Sequence, residues 1–213
     1  DGPCSRLRRR RARAPGPPAA FLRPRCHGAL ARGSPGDGAS LRRAARDAHQ
    51  EKADEYVGGT DIFCSNAGIG GMPGFFEVEA SDWQNIWDVN VQSHIFAAKH
   101  VLPQMIERGE GYLVNTSSAA GLLTQLGAAG YSVTKAAAVS FAEWVKITYG
   151  EKGIGVSCLC PQAVRTAMTA QGPGVAGVDG MMEPDVVAQE VLKCISDEKF
   201  LVLPHTEVAE YVS

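Results

Sequence analysis

The pattern of hydrophobic and polar positions divides the chain near residue 57. Beyond that point short apolar runs alternate with longer amphipathic stretches. Residues 61–64, 112–116, 154–160 and 200–203 have the length and the apolar content of strands buried on both faces. Ser81-Asp82-Trp83-Gln84 has the form of a capping box, with Ser at the N-cap and Gln three residues on, and opens a helix expected to reach about Val89. A second helix is expected over 91–108, with Pro103 as a kink and Gly109 and Gly111 ending it. Asn90 falls at the junction of the two. Further helices are expected over 132–149, closed by Gly150, and over 184–196, opened by Pro184. Residues 166–182 are rich in Gly, Ala and Met without periodicity and read as a loop. Strands that alternate with helices predict an α/β domain with a parallel sheet.

The first part of the chain reads differently. Residues 1–56 contain no Val, Ile or Thr, so no buried strand can be placed there. Residues 41–57, rich in Ala, Arg, Glu and Lys, are expected to be helical.

Charge sharpens this division. The net charge of −2 conceals a segment, residues 2–36, with nine Arg, six Pro, no Lys and no acidic residue. The expected organisation is an Arg/Pro-rich segment over 1–40 and an acidic globular domain over 41–213. Three readings of the basic segment compete. It has the composition of a mitochondrial transit peptide. It is a poor nucleic-acid arm, because only Phe21 could stack on a base. The favoured reading is sequence foreign to the fold, since Arg, Pro, Ala and Gly together are what GC-rich coding DNA yields in the wrong frame. A chain that begins at Asp1 and stops at Ser213 also fits a fragment.

Other function classes are excluded by what is missing. No run approaches the roughly 18 apolar residues of a membrane span. The six Cys show no C-x-x-C metal spacing. Cys158 and Cys160 flank Leu159 in an apolar run and point to a buried strand with reduced thiols. His94, His100 and His205 lack ligand-like spacing and read as structural or surface residues, and no metal site is expected. Trp83 and Trp87, four apart, read as core. Neither a membrane nor a nucleic acid is an expected partner, and the expected location is cytoplasmic, or mitochondrial if the Arg-rich segment is a transit peptide.

The candidate chemistry lies in residues 113–135, LVNTSSAAGLLTQLGAAGYSVTK. A short apolar strand ends in Thr116, Ser117 and Ser118, and Tyr131 and Lys135 follow at the start of an Ala-rich helix. Residues four apart share a helix face. A Tyr of pKa about 10 is a poor proton shuttle at neutral pH, and a neighbouring ammonium would lower that value. Alone, the pair reads as readily as a helix-start Tyr beside a solvated Lys.

Further motifs decide between the two. Ser118 lies thirteen residues before Tyr131, Asn66-Ala67-Gly68 follows the first credible strand, and Asn90 sits in WDVNVQSHIFAAK. Downstream stands Pro161-Gln162-Ala163-Val164-Arg165-Thr166. In order and spacing these residues resemble the motifs of the short-chain dehydrogenase/reductase family, over residues 53–212. Gln162 departs from the family's pattern, which has Gly there.

The resemblance implies a doubly wound, Rossmann-type parallel sheet and an NAD(P)-dependent oxidoreductase that interconverts an alcohol and a carbonyl. By the same resemblance Tyr131 is the general acid/base and Ser118 positions the substrate oxygen. Lys135 lowers the Tyr pKa and binds the nicotinamide ribose, and Asn90 holds a water that relays protons. Asn66, Ala67 and Gly68 line the adenosine side of NAD or NADP, and Pro161, Val164 and Thr166 border the nicotinamide. Residues 166–182 would cover the substrate, their apolar character suiting an apolar one. A homo-oligomer, or pairing with full-length relatives, is implied through the helices over 91–108 and 132–149.

The family's first βαβ unit, with its Gly-rich pyrophosphate loop, has no counterpart here, because Gly33, Gly36 and Gly38 follow no strand. The N-terminal half of the sheet is therefore expected to be missing or replaced, leaving the strand over 61–64 as an exposed edge. The alternative reading is a catalytically impaired fragment that acts as a dimerisation partner.

Overall fold

A computed structural model describes residues 59–213, apart from 71–73 and 173. The expectations for the basic segment, the helix over 41–57, the missing strands and the Gly-rich loop lie outside these residues. Strands β1 (Ile62–Ser65), β2 (Gly111–Thr116), β3 (Ile154–Leu159) and β4 (Leu201–Val202) pair in parallel in that order. Each parallel step needs a crossover, and helices supply them. Helices α1 (Ala80–Trp87) and α2 (Ser93–Arg108) link β1 to β2, α3 (Ala129–Tyr149) links β2 to β3, and α4 (Pro184–Ser196) links β3 to β4. The expected α/β class and its four strands are present.

Both faces of the sheet are covered. On one, Ala98, Val101, Leu102 and Met105 of α2 and Ala142 and Val145 of α3 pack with Leu113, Ile154, Val156 and Cys158. On the other, Val187 and Cys194 of α4 pack with Leu159 and Val202. This two-sided burial is why β3 reads as an almost unbroken apolar run. Among the described residues β1 pairs with β2 alone, and Ile62 is half exposed.

Two expectations are corrected. The capping box does not form: α1 begins at Ala80 with Glu79 as its N-cap, and Ser81 lies within the first turn. The Glu79 carbonyl accepts from the N–H groups of Asp82 and Trp83, at 3.0 and 3.2 Å, so the helix nucleates before Ser81 is reached. Nor are there two helices meeting at Asn90. A π-helical turn, Asp88–Gln92, joins α1 to α2 in one helical rod that runs through Pro103 and ends at Gly109, φ 70°. A terminal helix α5 (Glu207–Val212) was not expected from the sequence. Trp83 and Trp87 are half-buried.

Glycine is required where β2 and β3 meet. Tyr112 pairs with Gly155, and a Cβ on Gly155 would run into the Tyr112 ring. The Tyr112 hydroxyl is held 2.9 Å from Ser157 Oγ, so the ring cannot swing away without breaking that contact. Gly155→Ala is expected to destabilise the fold by about 1–3 kcal/mol, the usual range for overpacking. Urea denaturation measures this, and an unchanged midpoint would refute the assigned packing.

Candidate active site

The chemistry gathers where β2 ends and α3 begins. β2 delivers Thr116, Ser117 and Ser118 to the carboxyl end of the sheet, and Ser118 bends into a 3-10 turn, Ala119–Gly121, accepting from the Ala120 N–H at 3.2 Å. The Ser118 hydroxyl also reaches the Pro161 carbonyl at 3.3 Å, tying the ends of β2 and β3 together. Helical spacing brings Tyr131 and Lys135 to one face of α3, with the Lys135 Nζ 5.6 Å from the Tyr131 ring centroid.

Lys135 is only 3% exposed, and its ammonium donates to the Thr116 carbonyl at 3.1 Å. Burial draws its pKa down to about 8, while the neighbouring thiols of Cys158 and Cys160 push the other way. Those thiols are fully buried, 3.8 Å apart, on the expected strand and its end.

Tyr131 departs from expectation. Its pKa is raised: burial of the phenol dominates, and a hydrogen bond with the Ser118 side chain opposes it. The expected lowering by Lys135 is not the controlling effect, because burial of the phenol outweighs it. In the chain by itself the phenol is therefore protonated at neutral pH.

Asn90 is fully buried in the π-turn and works as a clamp. Its Oδ1 accepts from the Ile69 N–H at 2.8 Å, and its Nδ2 donates to the Ile69 carbonyl at 2.9 Å and to Thr134 Oγ1 at 3.1 Å. Both amide donors are thereby used, leaving one lone pair on Oδ1 for any water. The clamp holds the segment after β1 against α3. Of that segment, Asn66 and Ala67 are exposed and Gly68 is half-buried. A Cβ on Gly68 would stand 3.0 Å from the Lys135 Nζ and 3.5 Å from Asn90 Oδ1. The bare glycine lets this segment pack closely over the buried ammonium.

Pro161, Val164 and Thr166 leave the end of β3. Val164 bridges to Met182, and Thr166 caps a 3-10 turn, Ala167–Thr169. All of the predicted site residues thus lie on connections at the carboxyl ends of β1, β2 and β3 or on the helices beside them, where open α/β sheets take ligands.

Several contributors escaped the sequence reading. Gln162, noted only as a departure from Gly, sends its Nε2 to Asp179 Oδ2 at 2.9 Å, and the Tyr211 hydroxyl donates to Asp179 Oδ1 at 3.0 Å. This carboxylate fastens the 166–182 segment to α5. Met168 and the Tyr131 ring both approach Gly70: a Cβ there would be 3.7 Å from the ring and 3.9 Å from the Met168 Sδ. His94, read from the sequence as a structural or surface residue, is buried one turn beyond Asn90, with Asn115 against it. Only the departure at Gln162 was visible as a signal, and its partner Asp179 was not.

The arrangement has counterparts. Residues 30–173 match the model of the short chain dehydrogenase family. Oxidoreductase UcpA of Escherichia coli K12 is 32% identical over 146 residues, covering 68% of this chain and 54% of that protein. The 2-(S)-hydroxypropyl-CoM dehydrogenase 3 of Xanthobacter autotrophicus is 32% identical over 167 residues, covering 78% of this chain and 63% of that protein. A short-chain dehydrogenase/reductase from Burkholderia phymatum, crystallised with NAD, superposes with TM-score 0.72 at 25% identity, covering 80% of this chain and 70% of that one. The chain thus spans between half and two thirds of the length of these two curated relatives.

The buried imidazole gives the site a pH limit. Burial, seconded by the Lys135 charge and opposed by Asn115, lowers the His94 pKa from 6.5 to about 4. Between those values the unfolded chain binds a proton that the folded chain does not, so stability falls as pH drops from 6.5 towards 4. Urea midpoints across that window are expected to decline, and His94→Gln to flatten the decline. A profile unchanged by His94→Gln would show that the histidine is not its source.

Proposed function

Because the chain belongs to the short-chain dehydrogenase family, we propose that it is an NAD(P)-dependent oxidoreductase interconverting an alcohol and a carbonyl compound. The observation that carries the proposal is the convergence of Ser118, Tyr131 and Lys135 at the end of β2. The nicotinamide cofactor, when bound, takes the hydride from the carbinol carbon or returns it to the carbonyl carbon. The chain's own part is position and protons.

The residues present suit the nicotinamide end of such a cofactor. Lys135 and Tyr131 would meet the ribose beside Gly68, with Asn90 next to them. Pro161, Val164 and Thr166 would border the nicotinamide, and Asn66, Ala67 and Gly68 the adenosine side. Ser118 would hold the substrate oxygen by its hydroxyl. Tyr131 would exchange the proton with that oxygen as general acid/base. The remaining lone pair of Asn90 is the place for a water that would reload the phenol.

A second reading, a partner for full-length relatives, is favoured by one observation. Val133, Trp144 and Ile147 lie along α3 with about half or more of their surface exposed. On this reading the intact α3 face pairs with another copy or relative whether or not the site turns over. Ile147→Lys is then expected to shift a sedimenting dimer to monomer, and a wild-type chain that sediments as a monomer at all concentrations would refute it.

The test of the principal reading has two parts. Titration with NADH and with NADPH, followed by nicotinamide fluorescence, is expected to show saturable binding of one or both. Tyr131→Phe is expected to keep that binding while lowering turnover by about a hundredfold or more. Full turnover by Tyr131→Phe would overturn the assigned acid/base, and a folded chain that binds neither dinucleotide would overturn the oxidoreductase reading.

A further inference from the structure

The peptide that joins Pro161 to Gln162, just beyond β3, is held on both sides. Its carbonyl accepts the Ala119 N–H at 2.9 Å and the Ser118 hydroxyl at 3.3 Å. Its N–H donates to His205 Nδ1 at 3.2 Å. The peptide is trans, so the two groups lie in one plane and point in opposite directions. Whatever fixes the N–H therefore also aims the carbonyl. Proline fixes its own φ but not its ψ, so the plane after Pro161 is oriented by the groups that hold it.

His205 is itself firmly placed. It is only 4% exposed, and its carbonyl accepts the Val208 N–H at 3.2 Å as α5 begins. An Nδ1 that accepts carries no proton, so the ring is the neutral tautomer with its proton on Nε2. Burial lowers the pKa of this imidazole and so favours the neutral ring, with Glu207, the Ala163 backbone and Asp179 acting in the other direction. The same stretch of chain reaches Gln162 a second time, because Tyr211 donates to the Asp179 carboxylate that takes the Gln162 side chain. Main chain and side chain of Gln162 are thus both fastened to residues 205–211.

We infer that His205 is a positioning residue for the Ser118 hydroxyl: by accepting the Gln162 N–H it orients the peptide whose carbonyl steers Ser118. The inference rests on the oxidoreductase reading and adds a residue to the same site. A hydroxyl donor usually stands about 2.5–3.0 Å from its acceptor, so the 3.3 Å contact of Ser118 with Pro161 is a long one. The hydroxyl is aimed yet weakly bound, and a substrate oxygen takes it over at little cost. A turn of the peptide plane would either tighten that contact, in competition with the substrate, or release Ser118 to other rotamers.

Two substitutions in the full chain separate the acceptor from the bulk of the ring. His205→Asn keeps an acceptor, its Oδ1, in the place of Nδ1, whereas His205→Leu keeps most of the volume without one. Amide hydrogen exchange followed by NMR is expected to quicken about tenfold or more at Gln162 and Ala119 in His205→Leu, and less in His205→Asn. The buried amides of Val114 and Val156 are the control for a general loss of stability and are expected to change little. Turnover of 4-phenylbutan-2-one with NADH or NADPH is expected to fall about tenfold in His205→Leu, through kcat, and to be largely restored in His205→Asn. In a Ser118→Ala background, His205→Leu is expected to lower turnover no further. Unchanged exchange at Gln162 and Ala119 in His205→Leu, turnover in His205→Leu equal to that in His205→Asn, or the same loss with and without Ser118 would each overturn the inference. The expected exchange pattern in a folded chain that binds neither dinucleotide would overturn the oxidoreductase reading alone.

Discussion

A buried ammonium sets the terms for everything around it. Lys135 cannot be left in a low-dielectric interior without an acceptor, and the Thr116 carbonyl at the end of β2 supplies one. That single contact fixes the start of α3 against the end of β2. The Ser117 hydroxyl, donating to the Lys135 carbonyl at 2.7 Å, locks the same junction from the other side. Gly121 completes it: a Cβ there would stand 2.6 Å from the Lys135 carbonyl oxygen, so the turn after Ser118 passes only as glycine. The neutral state of His94 and the depressed pKa of Lys135 are consequences of the same burial. Burial disfavours the charged imidazole first, and the nearby ammonium adds to that.

The π-turn at Asn90 is the second constraint, and it serves the first. A π-turn inserts one residue into a helical rod and redirects the side chains beside it. Here the redirected side chain is an amide, and its hydrogen bonds tie the segment after β1 to the helix that carries Tyr131 and Lys135. The local departure from α-helix is thus coupled to the position of Gly68 over the ammonium. This is the combination expected where local regularity is given up for a site.

At the far end of the sheet, Gln162 shows how a departure from a family pattern can be absorbed. A side chain in place of Gly needs somewhere to go, and it finds Asp179, which also binds Tyr211 of α5. The connection that carries Met168 is thereby fastened through side chains at one end and through the Val164 to Met182 bridge at its base. Its apolar residues are left facing outward between two secured points.

Much of the fold was legible in the sequence. All four strands could be placed because burial on both faces demands continuous apolar runs, and the helices over 132–149 and 184–196 were marked by Gly150 and Pro184. The site was legible as a set of spacings: Ser118 with Tyr131 and Lys135, and Asn90 within its motif. What the sequence could not determine depends on contacts between distant residues. The helix at Ala80 starts before Ser81 because the Glu79 carbonyl finds its donors first, and a capping pattern alone carries no such competition. The direction of the Tyr131 pKa follows from how deeply the ring is buried, against the opposing hydrogen bond with Ser118, and burial is not a property of spacing. The clasp at Asp179 joins Gln162 to Tyr211 across the sequence, so only the tertiary structure could reveal it.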